Sequence, residues 1–156
     1  MWFDKNAEEA INFYVSIFKN SKIVSIKRYP DTPQEGPWKG LEGKVLTGIF
    51  ELEGQRYMAL DGGPYFKPSG AVSFLVECDT QEEVDHYWNA LTEGGDKKAQ
   101  QCGWLQDKFG FTWQINPKRL GELLSDPDRT KADRVMQAMM QMKKIDIAGL
   151  EKAYNG

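Results

Sequence analysis

Apolar positions along this chain fall into two copies of one helical stripe. Ala10, Phe13, Tyr14 and Ile17 stand at i, i+3, i+4 and i+7, and Val84, Tyr87, Trp88 and Leu91 repeat that spacing 74 positions later. Such spacing gathers side chains on one face of an α-helix. Each stripe opens on a capping side chain with a glutamate three residues on, Asn6 with Glu9 and Thr80 with Glu83, as in a capping box. Helices are predicted near 6–19 and 80–93. Cap, carboxylate and stripe at a single offset point to two related half-modules. The acid pairs Glu8-Glu9 and Glu82-Glu83 fit first helical turns, where carboxylates favour the macrodipole.

After each helix the hydrophobic period changes to two. Lys22 to Tyr29 alternates and reads as a strand; Val45 to Glu53 and Gln55 to Asp61 read as a hairpin turning at Glu53-Gly54. Pro30 to Gly43 holds three prolines, three glycines and Trp38, and is predicted as a loop. Ala71 to Glu77 is a strand, Gly94-Gly95 stops the second helix, weak strands follow near 97–107, and Phe111 to Asn116 is a strong strand. Gly54 to Met58 matches Gly110 to Gln114 at an offset of 56, so the second half repeats the first with a shorter middle. The reading is a first β-α-β-β-β half over 1–61, a linker over 62–70, a second half over 71–117 and a helical extension over 118–156. In the extension, Asp126-Pro127 reads as a cap with proline at the first helical position. Val135, Met139 and Met142 form a packing stripe, and Asp146 caps a last helix.

Composition narrows the function. Hydrophobic residues at 40% and aromatics at 12% suffice for a packed interior. A net charge of −3 argues against nucleic acid as the main partner, which needs a basic surface. No apolar run approaches the about 20 residues of a membrane span. Met1-Trp2-Phe3-Asp4 lacks the basic and apolar segments of a signal peptide. Two cysteines, Cys78 and Cys102, are too few for a disulfide scaffold, and a cytoplasmic protein is expected.

Several stretches carry a family resemblance. Trp2-Phe3-Asp4, Ala7-Glu8-Glu9-Ala10, Phe13-Tyr14, Asp61-Gly62-Gly63-Pro64, Cys102-Gly103-Trp104, Asp107-Lys108-Phe109-Gly110 and Trp113-Gln114-Ile115 resemble the PhnB-like family, as does the tail from Val135 to Ile147. That family is often labelled 3-demethylubiquinone-9 3-methyltransferase. It is a branch of the vicinal-oxygen-chelate superfamily, with glyoxalase I, extradiol dioxygenases and bleomycin-resistance proteins. The resemblance implies an α+β fold in which the two halves form a curved mixed sheet, helices outside and a ligand or metal on the concave inside. Alternation then sends Phe74, Val76, Trp113, Ile115 and Tyr57 to the helices, and Ser73, Leu75, Thr112, Gln114, Arg56, Met58 and Leu60 to the cavity.

By this resemblance the superfamily's metal positions fall on Gln114, near Met58 and on Ser73, with the fourth preceding Met1. Amide, thioether and hydroxyl groups are poor ligands for Zn, Mn or Fe(II), which take imidazole, carboxylate or thiolate. The single histidine, His86, lies opposite the stripe of the second helix and reads as an exposed helix residue. No metal and no cofactor are therefore expected. Ser16, Ser69 and Ser73 lack a histidine for a nucleophilic pair, and Cys102 lacks a basic partner. Neither Asp4-Lys5-Asn6 nor Asp79-Thr80 carries the glycine turn of a Rossmann-type S-adenosylmethionine site. The expected function is metal-free binding of an unknown small molecule by a homodimer, with Met58, Ser73, Gln114, Arg56 and Trp104 as ligand-binding candidates and no assigned catalytic residue. An enzyme of the same superfamily and a non-catalytic interaction module are the alternatives.

Overall fold

The computed structural model describes residues 1–33 and 35–156; Gln34, inside the predicted loop, lies outside the described residues. The chain divides into two compact units, 1–68 and 69–156. The first runs β1 (Trp2–Phe3), α1 (Ala7–Ile17), β2 (Lys22–Arg28), β3 (Val45–Leu52) and β4 (Gln55–Asp61), with one turn of 3₁₀ helix at Gly36–Trp38. Its sheet has the order β1-β4-β3-β2, with β1 parallel to β4 and the other pairs antiparallel. The second runs β5 (Ser73–Cys78), α2 (Gln81–Thr92), β6 (Asp96–Gln101), β7 (Trp104–Gln106) and β8 (Thr112–Pro117), in the order β5-β8-β7-β6 with β5 parallel to β8. Each half is thus β-α-β-β-β on its own four-stranded mixed sheet, and the fold is α+β and glyoxalase-like as expected.

Each sheet buries one face under its helix. In the first unit, Ala10, Ile11 and Tyr14 of α1 are buried, and the rings of Tyr14, Phe50 and Tyr57 stack in series with centroids 6.4 and 5.5 Å apart. In the second, Val84, Tyr87, Trp88 and Leu91 of α2 are buried, as are Leu105, Trp113 and Ile115 of the sheet. The second stripe is therefore wholly core, and the first is core at Ala10, Tyr14 and Ile17 with Phe13 half-buried.

The helix starts differ from expectation. α2 keeps the predicted arrangement: Glu83 N donates to Thr80 Oγ1 at 3.3 Å, and Asp79 N donates to Glu83 Oε2 at 2.8 Å. α1 does not, because Asn6 makes no side-chain cap bond. Instead Ala7 N donates at 2.8 Å to Asp61 Oδ1, from the end of β4. A carboxylate at a helix N-terminus gains from the macrodipole as well as from the bond. Beside it, Gly62 admits the Trp2 ring, which lies 2.2 Å from where a Cβ would stand, and Trp2 Nε1 donates to Gly63 O at 2.8 Å.

The extension forms α3 (Lys118–Leu124), α4 (Arg129–Met140) and α5 (Ile147–Asn155). Leu120, Leu123, Val135, Ile145 and Leu150 make its core, with Met139 and Met142 packed against it, so this stripe is interior packing. α4 begins later than the sequence suggests. Asp126 is engaged by Asp128 N at 2.8 Å and by the Tyr154 hydroxyl at 2.5 Å, and Asp128 takes over the cap, accepting from Thr130 N at 3.0 Å. Asp146 precedes α5 without a side-chain cap bond; Ile147 N donates to Gln81 Oε1 of α2 at 2.9 Å, and Gln81 Nε2 donates to Ile145 O at 3.1 Å.

Burial holds the Asp61 carboxyl above its usual range, against the opposing pull of its bonds from Ala7 and Asn6. An acid with a raised folded pKa binds its proton more readily folded than unfolded, so its contribution to stability is full below the unfolded value near 3.8 and falls as pH rises through the folded value. Urea unfolding should therefore show the wild type losing stability relative to Asp61→Asn between pH 4 and pH 7. Asp61→Ala, which orphans the Ala7 N–H, should cost about 1–2 kcal/mol at either pH.

Candidate functional site

The faces turned away from α1 and α2 carry the predicted site residues. On the first sheet, cross-strand register sets three rows: Lys22, Glu51 and Arg56; Ser25, Ile49 and Met58; Lys27, Thr47, Leu60 and Trp2. Arg56 is engaged, since its Nη2 and Lys22 Nζ each lie 3.1 Å from Glu51. These two cations hold the Glu51 carboxyl below its usual range, Lys22 first. Met58 stands beyond that charged row and is 52% exposed.

The second sheet presents a different surface. Ser73, Thr112, Gln106 and Asp96 form one row, Leu75, Gln114, Trp104 and Gln101 the next, and Glu77 and Asn116 the last. Apart from Asp96 and Glu77 at the margins these residues are uncharged. Gln114 Nε2 donates to Ser73 Oγ at 2.8 Å, which leaves the serine hydroxyl proton and Gln114 Oε1 to bond elsewhere. Trp104, the cross-strand neighbour of Gln114, is 38% exposed, and Leu75 is 57% exposed. The indole N–H of Trp104 makes no hydrogen bond among the described residues. A polar row with unspent donors and acceptors thus lies beside apolar surface.

That orientation has a specific cause. Trp113 and Phe74 pack on the helix side with ring centroids 4.9 Å apart. Trp113 Nε1 donates at 2.8 Å to Asp107 Oδ2, a carboxylate 2% exposed. With Trp113 fixed inward, alternation turns Thr112 and Gln114 outward.

The superfamily's metal is a poor match for these residues. The matching positions offer a hydroxyl and an amide that already bond to each other, and a thioether at Met58. Among the described residues no three of His, Cys, Asp and Glu come together. His86 is exposed on α2, against Tyr87. Cys78 is buried and its thiol is pushed up to about 12 by burial, which removes it as a nucleophile; both cysteines are free.

The five ligand-binding candidates are divided between the two units. Ser73, Gln114 and Trp104 stand together on one face, while Met58 and Arg56 lie on the open face of the other unit, Arg56 in an ion-pair row. Sequence reasoning missed Gln101 and Gln106, because the weakly patterned 97–107 segment gave no register. It also stopped short of Glu77 and Asn116, although continuing the same alternation by two residues reaches both.

Comparison with known proteins follows this geometry. Residues 1–116 match the family model described as 3-demethylubiquinone-9 3-methyltransferase. A solved PhnB protein from Bacillus cereus, bearing the same methyltransferase description, is 38% identical, with a TM-score of 0.63 over 75% of this chain and 95% of its own. Protein PA1353 from Pseudomonas aeruginosa is 23% identical, with a TM-score of 0.60 over 75% of this chain and 92% of its own. No curated protein matches the chain.

The polar row is displayed by the fold and is not part of its support. Gln114→Leu should change unfolding free energy by less than about 1 kcal/mol, as surface replacements do. Trp113→Phe, which strips a donor from a buried carboxylate, should cost about 1–3 kcal/mol. Chemical denaturation of the two variants checks both.

Proposed function

We propose a binding function for this chain, which belongs to the PhnB-like family described as 3-demethylubiquinone-9 3-methyltransferase. The protein binds a small organic molecule against the open face of its second sheet, without a metal ion. The observation that carries this reading is the row of Ser73, Gln114 and Trp104. It offers a hydroxyl, an amide and an indole N–H beside exposed Leu75, with no charge among them. Ligand sites typically combine apolar walls with a few polar groups that fix orientation. An indole face suits a planar ring, and the serine–glutamine pair suits an edge bearing both a donor and an acceptor.

Protein purified without chelator is the material for the test. Native mass spectrometry should find a co-purified small molecule and elemental analysis no stoichiometric transition metal, and Gln114→Leu and Trp104→Ala should each lower occupancy at least fivefold. A stoichiometric metal, or occupancy indifferent to both substitutions, overturns the reading.

The methyltransferase in the family's description finds little support here. Methyl transfer from S-adenosylmethionine on the common Rossmann fold uses a glycine turn between a strand and a helix of a parallel sheet. Here the segments entering α1 and α2, Asp4-Lys5-Asn6 and Asp79-Thr80, have no glycine, and both sheets are mixed. Calorimetric titration with S-adenosylmethionine should give no binding; micromolar affinity would restore the enzyme reading.

The proposal includes a cytoplasmic homodimer, supported by exposed apolar residues such as Met58 and Met140. No described helix is long and apolar enough to cross a membrane.

A further inference from the structure

Where the open face of the second sheet reaches α3 there is a groove of about 230 Å³. Its walls include Leu75 and Glu77 of β5, Asn116 of β8, and Gly121 and Leu124 of α3. Leu75 and Glu77 follow Ser73 by alternation, so the groove continues the face that carries the polar row. Its α3 wall lies beyond residue 116, where the family match ends. The extension, and not the matched residues alone, makes this concavity.

The charges around it are unequal. Lys118, at the start of α3, is committed to Asp79, with Nζ 2.7 Å from Oδ1. Glu77 makes no close ion pair among the described residues, and Lys118, which also lines the groove, feels its charge as well as that of Asp79. Two carboxylates against one ammonium leave a net negative charge at the rim. Asn116 Oδ1 is a buried side-chain oxygen with no hydrogen-bond partner among the described residues, turned toward Gly103, where a Cβ would come within 2.6 Å of it. Leu75 and Leu124 supply apolar walls.

We propose that this groove binds the ammonium end of a short alkyl amine, with Glu77 as counter-charge and Leu75 and Leu124 against the alkyl chain. An ammonium brings three donors and no acceptor. Glu77 supplies acceptors directly, while the Asn116 oxygen faces Gly103. A ligand carboxylate would instead meet the like charge of Glu77. At about 30 Å³ per water, the groove has the volume of about eight waters, a measure suited to a short chain. The inference rests on the binding function proposed above and adds a charged end to the ligand class.

Amide resonances of ¹⁵N-labelled full-length protein provide the test, with hexylammonium chloride, 1-hexanol and sodium hexanoate as probes. Hexylammonium should shift Leu75, Glu77, Gly121 and Leu124 saturably, at least fivefold more tightly than hexanol, with hexanoate weakest. Glu77→Gln should abolish the preference for the amine over the alcohol, and added salt should weaken amine binding. Gly121→Leu should block the amine and the alcohol alike, since a Cβ at residue 121 meets nothing within 4 Å and the side chain would fill the groove. Hexanoate binding as tightly as hexylammonium overturns the proposal, as does a Glu77→Gln variant that keeps the amine preference, or the absence of saturable shifts at these residues. Shifts confined to Ser73, Gln114 and Trp104 would overturn the groove while supporting the polar row.

Discussion

The display of this protein's candidate site depends on one buried carboxylate. Asp107 accepts from Phe109 N at 2.9 Å, from Phe111 N at 3.0 Å and from the Trp113 indole at 2.8 Å. The first two bonds shape the turn that carries the chain from β7 into β8. The third fixes which side of β8 is interior. Strands alternate strictly, so a slip of one residue would bury Gln114 and expose Trp113. A charge 2% exposed is costly to bury unless its acceptor positions are filled, and here three donors fill them. Asp61, 1% exposed, likewise fixes a neighbouring element, the start of α1, although there burial outweighs the bonds it accepts.

Much of this was legible along the chain, for local reasons. Helical stripes, the Thr80–Glu83 cap, the Glu53-Gly54 turn and the outward set of Ser73, Thr112 and Gln114 all follow from spacing that a strand or helix imposes on its neighbours. The turn residues Glu53 and Gly54 indeed have φ of 48° and 81°, as a two-residue hairpin turn requires. What was not legible came from partners distant in sequence. Asn6 looked like the cap of α1, but Asp61, 54 positions from Ala7, takes its place. Asp146 looked like the cap of α5, but Gln81, 66 positions from Ile147, receives Ile147 N. Asp126 was drawn off by Tyr154. Each is a correct residue type displaced by a side chain that only the tertiary fold delivers. The glutamines of β6 and β7 were missed for a different reason: Asp96 to Gln106 lacks the apolar alternation that would set its register.

The duplicated scaffold has diverged in chemistry more than in topology. Both halves share the strand order and the parallel pairing of first and last strands. Their open faces do not match. The first carries the Lys22–Glu51–Arg56 ion-pair row, whereas the second carries, between Asp96 and Glu77 at its margins, uncharged polar and apolar residues. Exposed ion pairs add little stability, so the charged row is better understood as setting surface polarity than as holding the sheet. On the second face, Gln114 and Ser73 satisfy one another in part and remain open in part. That arrangement can orient a neutral ligand but offers no strong metal donor. Membership of a fold family that often works through a metal therefore does not carry the metal's chemistry onto these residues.

The extension gives the second unit a feature that the residues matched to the family do not supply by themselves. Its own core, Leu120, Leu123, Val135, Ile145 and Leu150, holds α3 to α4 and α5. Gln81, together with an Asp85–Lys144 contact of 2.6 Å, fastens its far segment to α2. The β6–β7 turn adds backbone bonds, from Cys102 N to Met142 O and from Gly103 N to Lys143 O, each 2.8 Å. Anchored at these places, α3 is held against the end of β8. An otherwise open sheet face acquires a wall, and a wall is what would let the surface proposed for binding select the shape and charge of what lies on it. The interactions that hold the extension thus bear on the proposed recognition as well as on stability.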